Sequence, residues 1–157
     1  MRKAQRQRDA VWALQVFDKA PYVTVSMTRP EGTPYGLPLS LVRCGTDRFY
    51  FHCAGEGEKL DCLKVNPIVN MSAVSKCTPK FEDDKNNFTE YFHSAVAIGR
   101  AKIVEDDTEK ELALRLLCER FLPNYMSHFD EAIARSLSRT TLVRITLTEP
   151  PVDKCKP

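Results

Sequence analysis

The sequence predicts a mainly β (α+β) chain, a small antiparallel barrel of about six strands with flanking helices. Three observations carry this prediction. Several short runs alternate apolar and polar residues at period two, as where Val23, Val25 and Met27 interleave with Thr24, Ser26 and Thr28. Stretches rich in Gly, Pro, Asn and Asp punctuate those runs. Helical periodicity concentrates near the start of the chain and after residue 107.

Taken in order, residues 8–19 place Ala10, Leu14 and Phe17 at i, i+4 and i+7 with Val11 beside them, an amphipathic helix. Ala20-Pro21 ends it, because a residue before proline is pushed out of the helical region. Residues 22–28 alternate as a strand, and Arg-Pro-Glu-Gly-Thr-Pro at 29–34 is turn chemistry. Residues 36–43 and 48–54 are β-rich runs joined through Cys44-Gly45-Thr46-Asp47, a hairpin signature. In the first run Leu37, Leu39 and Leu41 share one face and Pro38 and Ser40 the other. Proline gives no ladder donor, so Pro38 belongs at an edge or a bulge. In the second run Phe49, Phe51 and Cys53 oppose Tyr50, His52 and Ala54.

Leu60 and Leu63 suggest a short helix stopped by Asn66-Pro67, and residues 68–74 form a further strand. Polar residues 75–88 are expected to be an exposed loop that crosses to a partner subunit or covers a pocket. Residues 91–104 make a long strand whose Ala95, Ala97, Gly99 and Ala101 form a thin face, open to close approach by another layer. Thr108 to Glu111 fits a capping box. The helix after it buries Ala113, Leu114, Leu117 and Phe121 and stops near Pro123. Residues 124–138 read as a short helix with loops, and 141–148 as the strand that closes the barrel. One domain over residues 1–157 is expected, with 1–8 a flexible, solvated terminus.

The chemistry concentrates at Gly55-Glu56-Gly57-Glu58-Lys59, where a strand gives way to a helix. Unpaired N–H groups at a helix start point at a bound oxyanion, Gly57 lets the main chain approach, and Lys59 adds a full charge. A phosphate suits such a cradle, provided Glu56 and Glu58 face water. Irregular backbone around Leu37, Pro38 and Leu39 leaves N–H and C=O groups free for the edge of a ligand, and Ser40 offers one more hydrogen bond. Small Cys53 and Ala54 leave room for a flat ring.

The ordered set Tyr35-Gly36-Leu37-Pro38-Leu39-Ser40, Tyr50-Phe51-His52-Cys53-Ala54, Gly57, Lys59 and Ser94 to Glu105 (SAVAIGRAKIVE) resembles the flavin-binding split-barrel family related to pyridoxamine phosphate oxidase. It is most similar to the nitroimidazole-resistance branch, from about residue 11 to 147. The resemblance implies a six-stranded split barrel that binds FMN. It also implies a homodimer with two equivalent flavin sites at the subunit interface and a small-molecule substrate. The implied contacts are Leu37, Pro38, Leu39, Ser40, His52, Cys53, Ala54, Gly57, Lys59 and Ser72, with Tyr91 and Ser94 reaching across the interface. His52 is the implied catalytic residue, donating a proton or holding substrate. An oxidoreductase acting on nitro-aromatic or quinone-like compounds is the first expectation. The alternatives are a non-catalytic flavin or haem binder, with His52, His93 or His128 as iron ligands, and a pyridoxamine phosphate oxidase-like enzyme. The last lacks its arginine-rich substrate-phosphate pattern here.

Composition narrows the classes. A net charge of +2 exerts no strong pull on nucleic acid. No window approaches the roughly 18 to 20 apolar residues of a membrane span, and the charged start leads into no apolar signal core, so a cytoplasmic protein is expected. The six cysteines, at 44, 53, 62, 77, 118 and 155, form no Cys-x-x-Cys pair, so reduced thiols and no metal centre are expected.

Overall fold

The computed structural model describes residues 4–156. It contains eight strands and four α-helices: α1 (Ala10–Lys19), β1 (Val23–Thr28), β2 (Pro34–Leu39), β3 (Val42–Cys44), β4 (Arg48–Cys53), α2 (Glu58–Val65), β5 (Ile68–Glu82), β6 (Asn87–Val104), α3 (Asp107–Phe121), α4 (Phe129–Ser136), β7 (Thr141–Leu147) and β8 (Val152–Lys156). All strand pairs are antiparallel, in the order β2-β1-β5-β6-β7-β4-β3, with β8 paired to β6. The sheet does not close: β2 and β3, its two end strands, are joined only through Ser40-Leu41. The expected strand at 36–43 is therefore two. Pro34–Leu39 pairs with β1, and only Val42–Cys44 forms the hairpin with β4, across a turn where Gly45 has φ 71°.

The inward face of the curled sheet is the core. Val23, Val25, Phe49, Phe51, Val69, Met71, Val143 and Ile145 are almost fully buried together with Ala13, Val16 and Phe17 of α1. Val11, expected on the apolar face of α1, is 64% exposed; the helix buries Ala13, Leu14, Val16 and Phe17 instead. Ala95, Ala97 and Ala101 belong to this core as well. The thin face of the long strand thus receives the chain's own interior and not a second chain, because only small side chains fit there. Gly99 makes the point sharpest: an added Cβ would lie 2.5 Å from Ile145 Cγ2 and 2.9 Å from the Thr146 carbonyl. Gly99→Ala is expected to cost about 1–3 kcal/mol, as overpacking does; thermal unfolding at unchanged midpoint would refute this.

A second apolar cluster lies on the opposite sheet face, where Val42, Tyr50, Val104 and Leu142 meet Ala113, Leu114 and Leu117 of α3 and Phe129 of α4. The cap of α3 is Asp106, whose carboxylate accepts from the Glu109 N–H at 2.7 Å, two residues before the expected Thr108 cap. Asp is a strong cap, and Glu109 is needed elsewhere: it accepts from the Tyr50 hydroxyl at 2.8 Å and from Arg144 at 2.7 Å.

Residues 75–88, expected as a loop, continue β5 to Glu82, turn at 83–86 and return as β6. Cross-strand pairs stabilise a polar ribbon that single-strand polarity does not signal. At the chain start, residues 1–3 lie outside the described set. The Arg8 N–H donates to both oxygens of buried Asp153 at 2.9 and 3.0 Å, which ties residue 8 to β8. No helix among the described residues is long and apolar enough to cross a membrane.

Candidate functional site

The first turn of α2 is the most distinctive polar corner. Gly57 caps it with φ 127°, a backbone state that L side chains rarely adopt, and supplies no side-chain cap. The first helical donors are Leu60 and Asp61, both to the Gly57 carbonyl at 2.9 and 3.2 Å. The amides of Glu58 and Lys59 precede that ladder, as orphan donors at a helix start do. Glu58 forms an ion pair with Arg29, and Glu56 is exposed, so neither carboxylate crowds the corner. The Arg29 guanidinium also lies 4.9 Å from the centre of the Tyr35 ring. One arginine thus staples the start of α2 to the Tyr35-Gly36 end of β2.

Lys59 is half-buried and makes no ion pair among the described residues, whereas Lys64 on the same helix pairs with Asp61 at 3.1 Å. A lysine without a counter-ion beside the free amides of a helix start favours an anionic ligand. Its charge acts on the end of β4: burial pushes the Cys53 thiol up, and Lys59 opposes that shift. Cys53 packs against the core, while Ala54 and His52 are exposed. His52 pairs with Leu142 across β4 and β7.

The other predicted residues fall into two groups. Leu37 and Leu39 point inward against the core, so only their main chain is available to a ligand. That main chain is accessible because β2 ends the sheet and has one unpaired edge. Pro38 and Ser72 face outward and lie in one row, since Thr24 pairs with both and Ser72 pairs with Val96. Beside it runs a second row, Gly36, Ser26, Asn70 and Ile98. Thr24, Ser26 and Asn70 were not singled out from the sequence, although the polar phase of the first strand marks the face that carries Thr24 and Ser26. Ser40 is exposed in the link between β2 and β3.

Two residues sit apart. Ser94 lies one row toward the ribbon, its hydroxyl donating to the Lys154 carbonyl at 3.3 Å. Tyr91 lies within the ribbon and donates to Glu82 at 2.6 Å, which with the Asn87 amide holds the Glu82 carboxyl down at about 2. Grooves open on the ribbon from Lys80 to Lys85, where Tyr91 is part of the lining, beside Asp107 and Arg115, between Val11 and Pro150, and at Leu60, Leu63 and Ile103. Among the described residues no cluster of His, Cys, Asp and Glu has the makings of a metal centre.

An unclosed antiparallel barrel, end strands joined by a kink, with a glycine-capped helix at its open corner, defines a split-barrel protein. The chain belongs to the pyridoxamine 5'-phosphate oxidase family, whose model matches residues 7–152. No curated protein matches it. Among solved structures it is similar to a proposed 5-nitroimidazole antibiotic resistance protein from Bacteroides thetaiotaomicron (TM-score 0.80, 21% identity, 94% of this chain and 84% of that one). It also resembles the flavocytochrome Anf3 from Azotobacter vinelandii (TM-score 0.84, 20% identity, 100% and 72%). A third is the FAD and heme binding protein from Mycobacterium smegmatis (TM-score 0.78, 20% identity, 96% and 73%). At these identities the likeness is one of fold.

Proposed function

We propose that the chain is an FMN-binding flavoprotein that works as a homodimer and reduces small aromatic compounds such as nitroimidazoles or quinones. The observation that carries this reading is Lys59, half-buried and without a counter-ion among the described residues, beside the open amides of a glycine-capped helix. Those groups would hold the flavin phosphate. The main-chain edge of β2 from Leu37 to Leu39 and the Ser40 hydroxyl would meet the polar rim of the ring, and the Gly36 and Pro38 rows offer a flat wall. A flat wall buries one side of a ring only, which supports a second copy supplying the other. The chain lacks the Gly-x-Gly-x-x-Gly fingerprint, which favours the mononucleotide over a dinucleotide.

The flavin, once bound, supplies hydride and electron transfer. The chain's part would be to bind, orient and exclude water, and His52, exposed next to Cys53, would hold substrate or pass a proton. His52→Ala is expected to leave FMN affinity within about twofold and to slow turnover on the order of 100-fold or more, the range of a lost general acid. Equal turnover in the two proteins would remove His52 from the chemistry.

The test of the whole reading is the absorption spectrum of purified protein titrated with FMN, then reduction by NADH or NADPH and reoxidation by a nitro-aromatic acceptor. Stoichiometric yellow protein that cycles supports it. Yellow protein inert to every donor reduces the proposal to a flavin binder, and a Soret band on haem addition in place of flavin binding overturns it.

A further inference from the structure

The turn between β1 and β2 holds one side chain in a fixed pose, and that side chain reaches the start of α2. Arg29 directly follows β1; its N–H donates to the Thr33 carbonyl at 2.9 Å, and its carbonyl accepts from the Gly32 N–H at 2.8 Å. The guanidinium is anchored to the same turn. Nη1 donates to the Pro34 carbonyl at 3.1 Å and to the Thr33 hydroxyl at 3.5 Å, and the group lies over the Tyr35 ring. Nε is left to face α2, where it donates to the Glu58 carboxylate. Glu31, the acid nearer in sequence, stands 4.0 Å from Nε and accepts from the Thr33 hydroxyl at 2.7 Å. The arginine is therefore held from the β side and spends its free edge on Glu58.

Glu58 depends on that partner. It is the first residue of α2, at the end of the helix where the dipole attracts negative charge. Its neighbours one turn further along are Asp61 and Cys62, which offer it no cation. Lys59 follows it directly, and consecutive helical residues do not face each other. Among the described residues Arg29 is the only cation paired with Glu58. Without Arg29 the Glu58 carboxylate would stand unneutralised within a turn of the open amides and Lys59. It would then be drawn to the same positive end that a bound phosphate would use.

We propose that Arg29 is a positioning residue that sets the preference for phosphorylated over unphosphorylated flavin: it neutralises Glu58 and draws its carboxylate toward the β1–β2 turn, which keeps the α2 corner open to a phosphate. The inference rests on the reading of that corner as the flavin-phosphate site and deepens it. Glu58 is an internal anion placed to compete for the site, and Arg29 restrains it without touching the ligand. A purely structural staple makes a different prediction. Arg29→Met and Glu58→Gln delete the same ion pair, so a staple requires both to weaken binding alike. Restraint of a competing charge requires opposite effects, because the first variant frees the carboxylate and the second abolishes it.

The test is calorimetric titration of the full chain, stripped of flavin, with FMN and with riboflavin, for the wild type, Arg29→Met, Glu58→Gln and the double variant. The wild type should bind FMN more tightly than riboflavin. Arg29→Met should raise the FMN Kd about tenfold and leave the riboflavin Kd within about twofold, since only the phosphate meets the freed carboxylate. Glu58→Gln should bind FMN at least as tightly as the wild type. The double variant should return to within about twofold of the wild type, because the charge that Arg29 restrains is gone. Both side chains lie at the surface, 33% and 49% exposed, so folding, checked by circular dichroism, should persist. Wild-type FMN affinity in Arg29→Met, an equal loss for both flavins, or a double variant as weak as Arg29→Met overturns the role of Arg29. A wild type that binds both flavins equally removes the phosphate reading and this inference with it. Failure of the reading is thus seen in the wild type, and failure of the inference alone only in the variants.

Discussion

Lys59→Ala is expected to weaken FMN binding by roughly 1.5 to 3 kcal/mol, a rise in Kd on the order of 10- to 100-fold, the value of a charge-assisted hydrogen bond. Lys59 is half-buried, its charge reaches the Cys53 thiol, and the neighbouring acids are committed or turned away: Glu58 to Arg29, Glu56 to water. In the free protein, removing the charge leaves nothing unpaired, so thermal stability without flavin should hold or rise slightly. The loss should shrink for riboflavin, which has no phosphate for Lys59 to meet. Isothermal titration with FMN and riboflavin separates these cases. Unchanged FMN affinity in the variant would take the phosphate away from this corner.

The largest loss of folding stability is expected from Arg120→Met, about 2–4 kcal/mol. Arg120 rises from α3 into the gap between the two apolar clusters and donates to three main-chain oxygens, Leu41 at 2.8 Å, Phe17 at 2.9 Å and Ala20 at 2.8 Å. Two of these close the C-terminal end of α1, where carbonyls lack helical donors and a cation is favoured. The third holds the Ser40-Leu41 link, where the end strands of the sheet are joined. Burial lowers the Arg120 pKa without neutralising it. Methionine preserves much of the volume and supplies no donor, leaving three carbonyls that water reaches only partly, at roughly 1–3 kcal/mol for each one left unmet. Urea unfolding should show a lower midpoint at an unchanged slope. A midpoint shift worth less than about 0.5 kcal/mol would mean that water replaces the guanidinium freely. Because Leu41 adjoins Ser40, the same variant should also loosen whatever the β2 edge binds.

Alternation and punctuation made much of this fold legible. Val23, Val25 and Met27 face inward as their spacing requires, and Phe49 and Phe51 follow suit. Gly57 marks the start of α2 because its backbone state is local. The corner at Lys59 was legible for the same reason: a glycine, a helix start and a cation adjoin in the chain. What escaped was whatever depends on a distant partner. Residues 75–88 are polar and look like a loop, yet each half supplies the ladder the other needs. Leu41 continues the alternation of Leu37 and Leu39, yet the strand breaks beside it, where Arg120 from 79 residues away takes its carbonyl. Glu109 gives no local sign that Tyr50 and Arg144 will meet on it.

Side-chain periodicity and backbone-special residues therefore determined the strands, the inward faces and the glycine-led corner, because those are set by neighbours within a few positions. The pairing order, the open seam between β2 and β3, and the projection of the β5–β6 ribbon were decided in three dimensions. They depend on which long-range hydrogen bonds and apolar contacts can form together, and that is a property of the assembled sheet.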